Sequence, residues 1–408
     1  MSGNAWILGP DRLGHSVLVQ DGVVTWQGQG AVPGSPKLEQ LACPNSAIRY
    51  GHVNAHTHLY SGLVPYGIPP LAQQPDEFVG ILQQLWWKLD RALDAELLSI
   101  AAEVAVADAL MCGTTLLVDH HESPNFIAGS LDVIADACQK LGVRACLSYG
   151  ATERNGGRDE AEAGLAESQR FYKERGHTLL LSTAFGLHAG FTASNLTISR
   201  AGRLARQVGR PVHVHVAEAL SDAQDARERG FAGALDRLCR LGAVPQRSVL
   251  AHAIHLRPEE RARIAAHGAC AVQNPRSNLG NRVGYPLALQ RLSHVALGSD
   301  GYVANMEEEV RCAQQQGALH GEPPQLALER LERGHQLGYD LMNLPDSPPL
   351  WLRKPADLAA MTDNGALHVL VDGRLVVRDG KLLGADLDTL RQRASQAAAR
   401  LHLKMAQL

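Results

Sequence analysis

Four short segments concentrate the side chains able to do chemistry: AHTH at 55–58, HVHVAE at 213–218, AHAIH at 251–255 and GSDG at 298–301. Alternation along an extended strand puts His56 and His58 on one face, so both imidazoles can reach a single ion. His213 and His215 share a face in the same way. His215 sits nearer the end of its run and is the better ligand, while His213, one layer deeper, reads as a hydrogen-bonded core histidine. Asp300 stands between small residues at a strand end. A buried, unpaired carboxylate costs several kcal/mol, so a cation partner is expected there; capping of the next helix is the competing reading. His56, His58, His215 and Asp300 are therefore the candidate metal ligands. Glu218 follows in the loop and is free to act on substrate. His252 should point inward as a catalytic or substrate-contacting base, with His255 structural.

These residues must be positioned by the elements that carry them. Apolar strand-like runs (IRYGHVNAH, TTLLVDHH, VRACLSYG, LLLSTAFGLH, PVHVHVAE, SVLAHAIH, CAVQNP and VALGSDG) alternate with charged, helically periodic stretches such as RPEERARIAAHG. Strand and helix in repeated alternation predict an α/β protein, a (β/α)8 TIM barrel. In such a barrel the C-terminal strand ends converge on one face, which turns residues distant in sequence into neighbours. The 408 residues exceed the roughly 250 of a barrel, leaving appended elements. Residues 1–50 and 349–385 carry hairpin signals, including Asp21-Gly22, Asp372-Gly373 and Asp379-Gly380. They are expected to form one small β-sandwich domain from both termini, with the barrel at 51–348. A C-terminal helix at 386–408 is expected to serve packing or oligomerisation, which leaves a homodimer open. The long first βα loop, Tyr60 to Trp87, is expected to cover the site, with Tyr66, Phe78, Trp86 and Trp87 available to stack on a planar substrate.

Composition narrows the function classes. With 39 basic and 42 acidic side chains the formal net charge is -3, which gives no basic field for nucleic acid. Seven cysteines occur singly, without a Cys-x-x-Cys pair, so reduced thiols in a cytoplasmic protein are expected. The N-terminus lacks a basic head followed by an apolar run. The longest apolar stretch, Ala101 to Val118, contains Glu103 and Asp108 and reads as a buried helix entering a strand, not a membrane span.

The ordered set GHVNAHTH, GLHAGFT, HVHVAE, LAHAIHL, NPRSNLGN and LGSDG closely resembles the amidohydrolase superfamily, in its cytosine deaminase, guanine deaminase and chlorohydrolase branch. The likeness spans nearly the whole chain. LWWKLD at 85–90 and VDHHESP at 118–124 are similar to aminohydrolases of the SsnA type, whose substrate is poorly defined. The resemblance implies metal ligation by His56, His58, His215 and Asp300, proton transfer by Glu218, and substrate contacts from His188 and His252. His121 and Trp86 are expected beside the substrate ring, and Asn274 is expected to fix its loop or contact substrate. Binuclear relatives use a bridging group, often a lysine that LLLSTAFGLHAG lacks, so one ion is preferred; Glu153 is the alternative bridge. The departures include Gln273, where cysteine or histidine is common, and a short closing segment at 353–361.

Three imidazoles and a carboxylate around one divalent ion, zinc first and then iron or manganese, leave a position for water, whose pKa can fall to about 7 from 15.7 in bulk. The hydroxide so formed would attack an amino-bearing carbon of a small purine, pterin or pyrimidine-type heterocycle. Glu218 would take the water proton, and Asp300 with His252 would relay a second one to departing ammonia. The competing readings are cyclic amide hydrolysis, triazine dechlorination or alkylamine release on the same metal, and a non-catalytic binding protein. Zinc deaminases with a Pro-Cys-x-x-Cys signature are excluded, since the signature is missing.

Overall fold

The computed structural model describes residues 5–34, 38–67, 75, 77–345 and 352–408. Eight parallel strands follow one another around a barrel: His52–Thr57, Thr114–His121, Arg144–Ala151, Phe185–Ala189, Val212–Val216, Val249–His252, Cys270–Gln273 and Val295–Leu297. A short segment, Leu181–Thr183, precedes the fourth and pairs with the third. The ring closes from last strand to first: the amides of Ser299 and Asp300 each donate to the His56 carbonyl at 3.0 Å, and Thr57 bridges Asp300. Closure thus brings His56 and Asp300, at two strand ends and 244 residues apart, into direct contact.

Alternation along the strands decides which residues enter the barrel. Val53, Ala55, Leu116, Val118, Cys146 and Val272 fill its lower interior. Leu117, Ala145 and Leu147, at the other parity, face the surrounding helices. Burial on both faces is why these strands read as unbroken apolar runs. Polar caps start the helices outside: Asp94 accepts from the Leu97 amide before Ala95–Met111, and Ser194 from that of Thr197 before Asn195–Gln207. Helix Ala95–Met111 is apolar nearly all round because it packs against helix Ser130–Leu141 on one side and the C-terminal helix Leu387–Met405 on another. The C-terminal helix buries Leu390, Ala394, Ala398 and Leu401 and pairs Arg391 with Asp108 and Lys404 with Asp94. No helix among the described residues is long and apolar enough to cross a membrane.

Segments from both termini form two further sheets. Ala5–Leu8, His15–Gln20, Val23–Gln29 and Glu39–Leu41 make one, in which the last strand pairs parallel to the first. Ala47–Tyr50 joins Leu358–Thr362, Gly365–Val371, Arg374–Arg378 and Lys381–Leu382 in the other. Their facing side chains, among them Leu8, Val19, Val24, Tyr50, Leu358 and Leu370, form one apolar cluster. Asp21 and Gly22 both adopt positive φ (50° and 80°), as do Asp372 and Gly373 (53° and 70°), the backbone that tight hairpins need. The expected boundary at 348/349 lies outside the described residues, as do residues 68–74 and 76 of the loop expected to cover the site.

Candidate functional site

His56, His58, His215 and Asp300 meet at the C-terminal mouth of the barrel, with one donor atom from each lying within 4.8 Å of all the others. Asp300 Oδ1 is 3.2 Å from His56 Nε2 and 2.9 Å from His58 Nε2, and His215 Nε2 is 3.2 Å from His58 Nε2. A tetrahedral ion with arms of about 2.0–2.1 Å requires donor separations of about 3.3 Å. The tautomers agree with this. His58 Nδ1 donates to the His120 carbonyl at 2.5 Å and His215 Nδ1 to the His188 carbonyl at 2.7 Å. A carbonyl can only accept, so both rings carry the proton on Nδ1 and turn an Nε2 lone pair inward. His56 Nδ1 is engaged by His213 Nε2 at 2.8 Å, which gives His213 its place behind the ligands. Lone pairs and a carboxylate this close repel one another unless a cation lies between them, so the donor set fits a divalent metal.

Protonation follows the same logic. Burial pushes His56 and His215 well below the usual histidine range. Burial also opposes charge on His58, but its hydrogen bond to Asp300 and the charges of Asp300 and Glu122 outweigh that and raise it to about 9. Burial likewise opposes ionisation of Asp300, yet the hydrogen bonds to His56 and His58 hold it well below the ordinary carboxylate range. A proton on His58 and a metal ion compete for the same lone pair.

Beside the ligands lie the residues suited to proton transfer. His252 Nε2 is 3.6 Å from Glu218 Oε2 and 4.0 Å from Asp300 Oδ2, while its Nδ1 bonds Asn278 Oδ1 at 3.0 Å. Burial, then the charges of Asp300 and Asp222, lift Glu218 well above the usual glutamate range. The second oxygen of Asp300 accepts a hydrogen bond from the Ser277 hydroxyl. Ala217, His252 and Asp300 have φ of 50°, 69° and 53°, left-handed backbone that costs of order 1–3 kcal/mol per non-glycine residue and re-aims the strand ends into the mouth.

A cavity of about 650 Å³ opens onto His58, His215 and Asp300. Glu218 and His188 line it, with Phe78, Trp86 and Trp87 from the first βα loop. His188 is fixed by Thr192 Oγ1, 2.8 Å from its Nδ1. Tyr66 is not among the lining residues; its hydroxyl bonds Asp108. Three further expectations meet a different geometry. His121 has the outward parity of its strand, bonds Ser123 Oγ at 2.8 Å, and is absent from the cavity lining. Asn274 also lies off the cavity, its Nδ2 against the His252 ring at 3.3 Å from Nδ1. Glu153 accepts from the Ser194 amide and the Thr197 hydroxyl, so it serves the next helix.

Sequence reasoning passed over Glu122, Asp90 and Arg154, and the pair Ser277 and Asn278. Glu122 and Asp90 line the cavity, and Arg154 Nη2 joins them at 2.6 and 2.5 Å. The signal for Glu122 was parity, because it follows Val118 and His120 on the inward side. Ser277 and Asn278 lay within NPRSNLGN itself.

The sequence pattern of the amidohydrolase family matches residues 50–331. The chain belongs to the amidohydrolase family. Amidohydrolases are metal-dependent hydrolases of carbon–nitrogen bonds. This amidohydrolase is 28% identical to the 5'-deoxyadenosine deaminase of Methanopyrus kandleri over 86% of each chain. It is equally 28% identical to the 8-oxoguanine deaminase of Pseudomonas aeruginosa over 96% of each. Among solved structures, a zinc-bound adenosine deaminase from Xanthomonas campestris superposes with a TM-score of 0.82 at 23% identity, covering 98% of both chains. A triazine hydrolase from an Arthrobacter source reaches the same TM-score at 16% identity, covering 97% of this amidohydrolase and 99% of that chain. The fold is therefore shared by a deaminase and a triazine hydrolase.

Proposed function

We propose that this amidohydrolase deaminates an amino-substituted nitrogen heterocycle of the purine type, using one divalent ion, zinc by preference, held by His56, His58, His215 and Asp300. The observation that carries the reading is the convergence of those four donors beside Glu218 and His252, in a cavity walled by aromatic rings. The deaminases among its relatives favour ammonia as the leaving group. When bound, the ion supplies Lewis acidity that lets water act as a nucleophile at neutral pH.

The chain's own residues then account for the protons. Glu218 accepts one proton from the attacking water and passes it to a ring nitrogen as the new C–O bond forms. His252, braced by Asn278, and Asp300 hold the second proton and deliver it to the amino group. Cleavage of the C–N bond releases ammonia, and the ring carbon is left as a carbonyl. Trp86, Trp87 and Phe78 offer flat apolar surfaces for the ring, and His188 a polar contact at its edge. The test is ammonia release by the zinc-loaded enzyme from a panel of adenine nucleosides, guanine, 8-oxoguanine, pterins and cytosine. Release of ammonia with the keto product supports the reading. Chloride or alkylamine release from substituted triazines, with no ammonia from the panel, would replace it.

A further inference from the structure

The cavity has a second polar feature, which the deamination scheme does not use. Asp90, on helix Trp87–Ala92, and Glu122, just past the second barrel strand, come from separate βα connections and share one nitrogen of Arg154. Arg154 lies 5.0 Å from the centre of the Trp87 ring and is itself absent from the cavity lining. Two carboxylates around one guanidinium leave the trio one negative charge in excess when all three are ionised. Asp90 lines the cavity although it is only 1% exposed, and its Oδ1 has no hydrogen-bond partner among the described residues. Trp87 Nε1 is also buried without one. Glu122 Oε2 lies 3.9 Å from His188 Nε2, so this wall adjoins the edge of the ring pocket.

A purely structural ion trio would satisfy both oxygens of a carboxylate so deeply buried, because an unpaired buried acceptor is costly. Asp90, which carries that free oxygen, and Glu122 both line the cavity that a ligand would enter. No lysine or arginine is among the described residues lining the cavity, and residues 68–76 contain none in sequence. Among the described residues the cavity wall thus offers no guanidinium or ammonium group to a carboxylate or phosphate substituent. We infer that Asp90 and Glu122, held by Arg154, are a specificity wall for a cationic or N–H-rich edge of the bound ring, an amidine- or cyclic guanidine-type group. Burial reinforces this electrostatically, since it raises Asp90 to about 7 and Glu122 upward against the opposing pull of Arg154; a donor or cation at the wall favours the ionised pair.

This inference rests on the deaminase reading only in taking the occupant to be substrate, and binding tests it without turnover. Dissociation constants of the zinc-loaded enzyme would be compared for 2-aminobenzimidazole, a planar cyclic guanidine, and 2-methylbenzimidazole, its isostere without the amino donor. The amino probe should bind at least tenfold more tightly. Asp90→Asn and Glu122→Gln should each shrink that preference at least threefold, with zinc content retained, and Glu218→Gln should preserve it. A crystal structure of the wild-type complex gives the location even where a variant fails to fold. The probe's exocyclic nitrogen on Asp90 or Glu122 supports the wall; the same nitrogen on Glu218, or equal affinity for both probes, overturns it. If the probes discriminate as expected while no ammonia is released from any heterocycle, the deaminase reading falls and the wall stands.

Discussion

Nε2 of His58 lies 3.2 Å from Nε2 of His215, although the Nδ1 proton of each ring is already committed to a backbone carbonyl. Two inward lone pairs at that distance, with Asp300 Oδ1 2.9 Å from His58, repel one another unless a metal ion, or in its absence a proton on His58, lies between them. Elemental analysis should therefore find one divalent ion per chain, and His215→Ala should lose it. Added zinc should stabilise the chelator-treated wild type by about 4 kcal/mol at a free concentration a thousandfold above its Kd. The variant should gain far less in the same thermal scan. Two ions per wild-type chain would refute the mononuclear arrangement.

Ser277 supports the ligand set from behind by donating its hydroxyl to the free oxygen of Asp300. Removing such an orienting partner typically weakens metal affinity about 10–100-fold. Ser277→Ala should show that loss in competition with a chromophoric chelator, while circular dichroism stays unchanged. Affinity equal to wild type would mean that Asp300 is oriented by the strand end alone.

The barrel was legible because each strand buries both faces, and because the histidines and Asp300 stand where apolar runs stop. The placement of His215 at the candidate ligand cluster, with His213 behind it, followed from depth along a single strand. What escaped was of two kinds. In DHHESP the histidine drew attention, yet parity turns His121 outward and Glu122 inward; the strand's last residue, His121, had to be fixed before that could be read. Asp90 and Arg154, 64 residues apart, share no local pattern and become partners only when the barrel closes. The left-handed backbone of His252 and Asp300 was equally hidden, since the enrichment of Asp and His at positive φ does not single out individual positions.

In the proposed mechanism Glu218 moves protons, and His252 Nε2 lies 3.6 Å from its Oε2. Glu218→Gln keeps the shape of the side chain and removes its basicity. It should lower kcat by about 10²–10⁴-fold, the usual contribution of a positioned acid or base. KM should change little and metal content not at all. A variant with normal kcat would remove Glu218 from the mechanism and leave the ligand set intact.

Glu309 offers a test of pH-dependent stability away from the reacting centre. It is fully buried and accepts from Arg276 Nε at 2.6 Å; burial nevertheless prevails over this pairing and raises it to about 7. The folded state then holds a proton that the unfolded chain gives up near the ordinary glutamate range. Glu309 therefore contributes stability that is full below that range and is lost as pH rises through about 7. In urea titrations of metal-loaded protein, the advantage of wild type over Glu309→Gln should be larger at pH 5 than at pH 8.5. A pH-independent difference would show that the Arg276 pairing cancels the effect of burial.

Gly62 determines how closely the start of the first βα connection lies on helix Ala95–Met111. A Cβ at this position would stand 2.1 Å from the Ala101 carbonyl oxygen and 2.9 Å from the Ala105 methyl, and both belong to a helix packed on its other sides. Neither can retreat without moving that helix, so Gly62→Ala should cost about 1–3 kcal/mol as an overpacked contact. The strain has a direction. Leu59 stands one turn before Gly62 and Ser61 immediately before it; the Leu59 amide donates to Asp119, and the Ser61 hydroxyl to the carbonyls of His58 and Gly301. A shift of the connection would therefore reach His58, and the variant should lose metal affinity together with thermal stability. Loss of stability with unchanged metal affinity would mean that the strand end holds His58 independently of the loop that follows it.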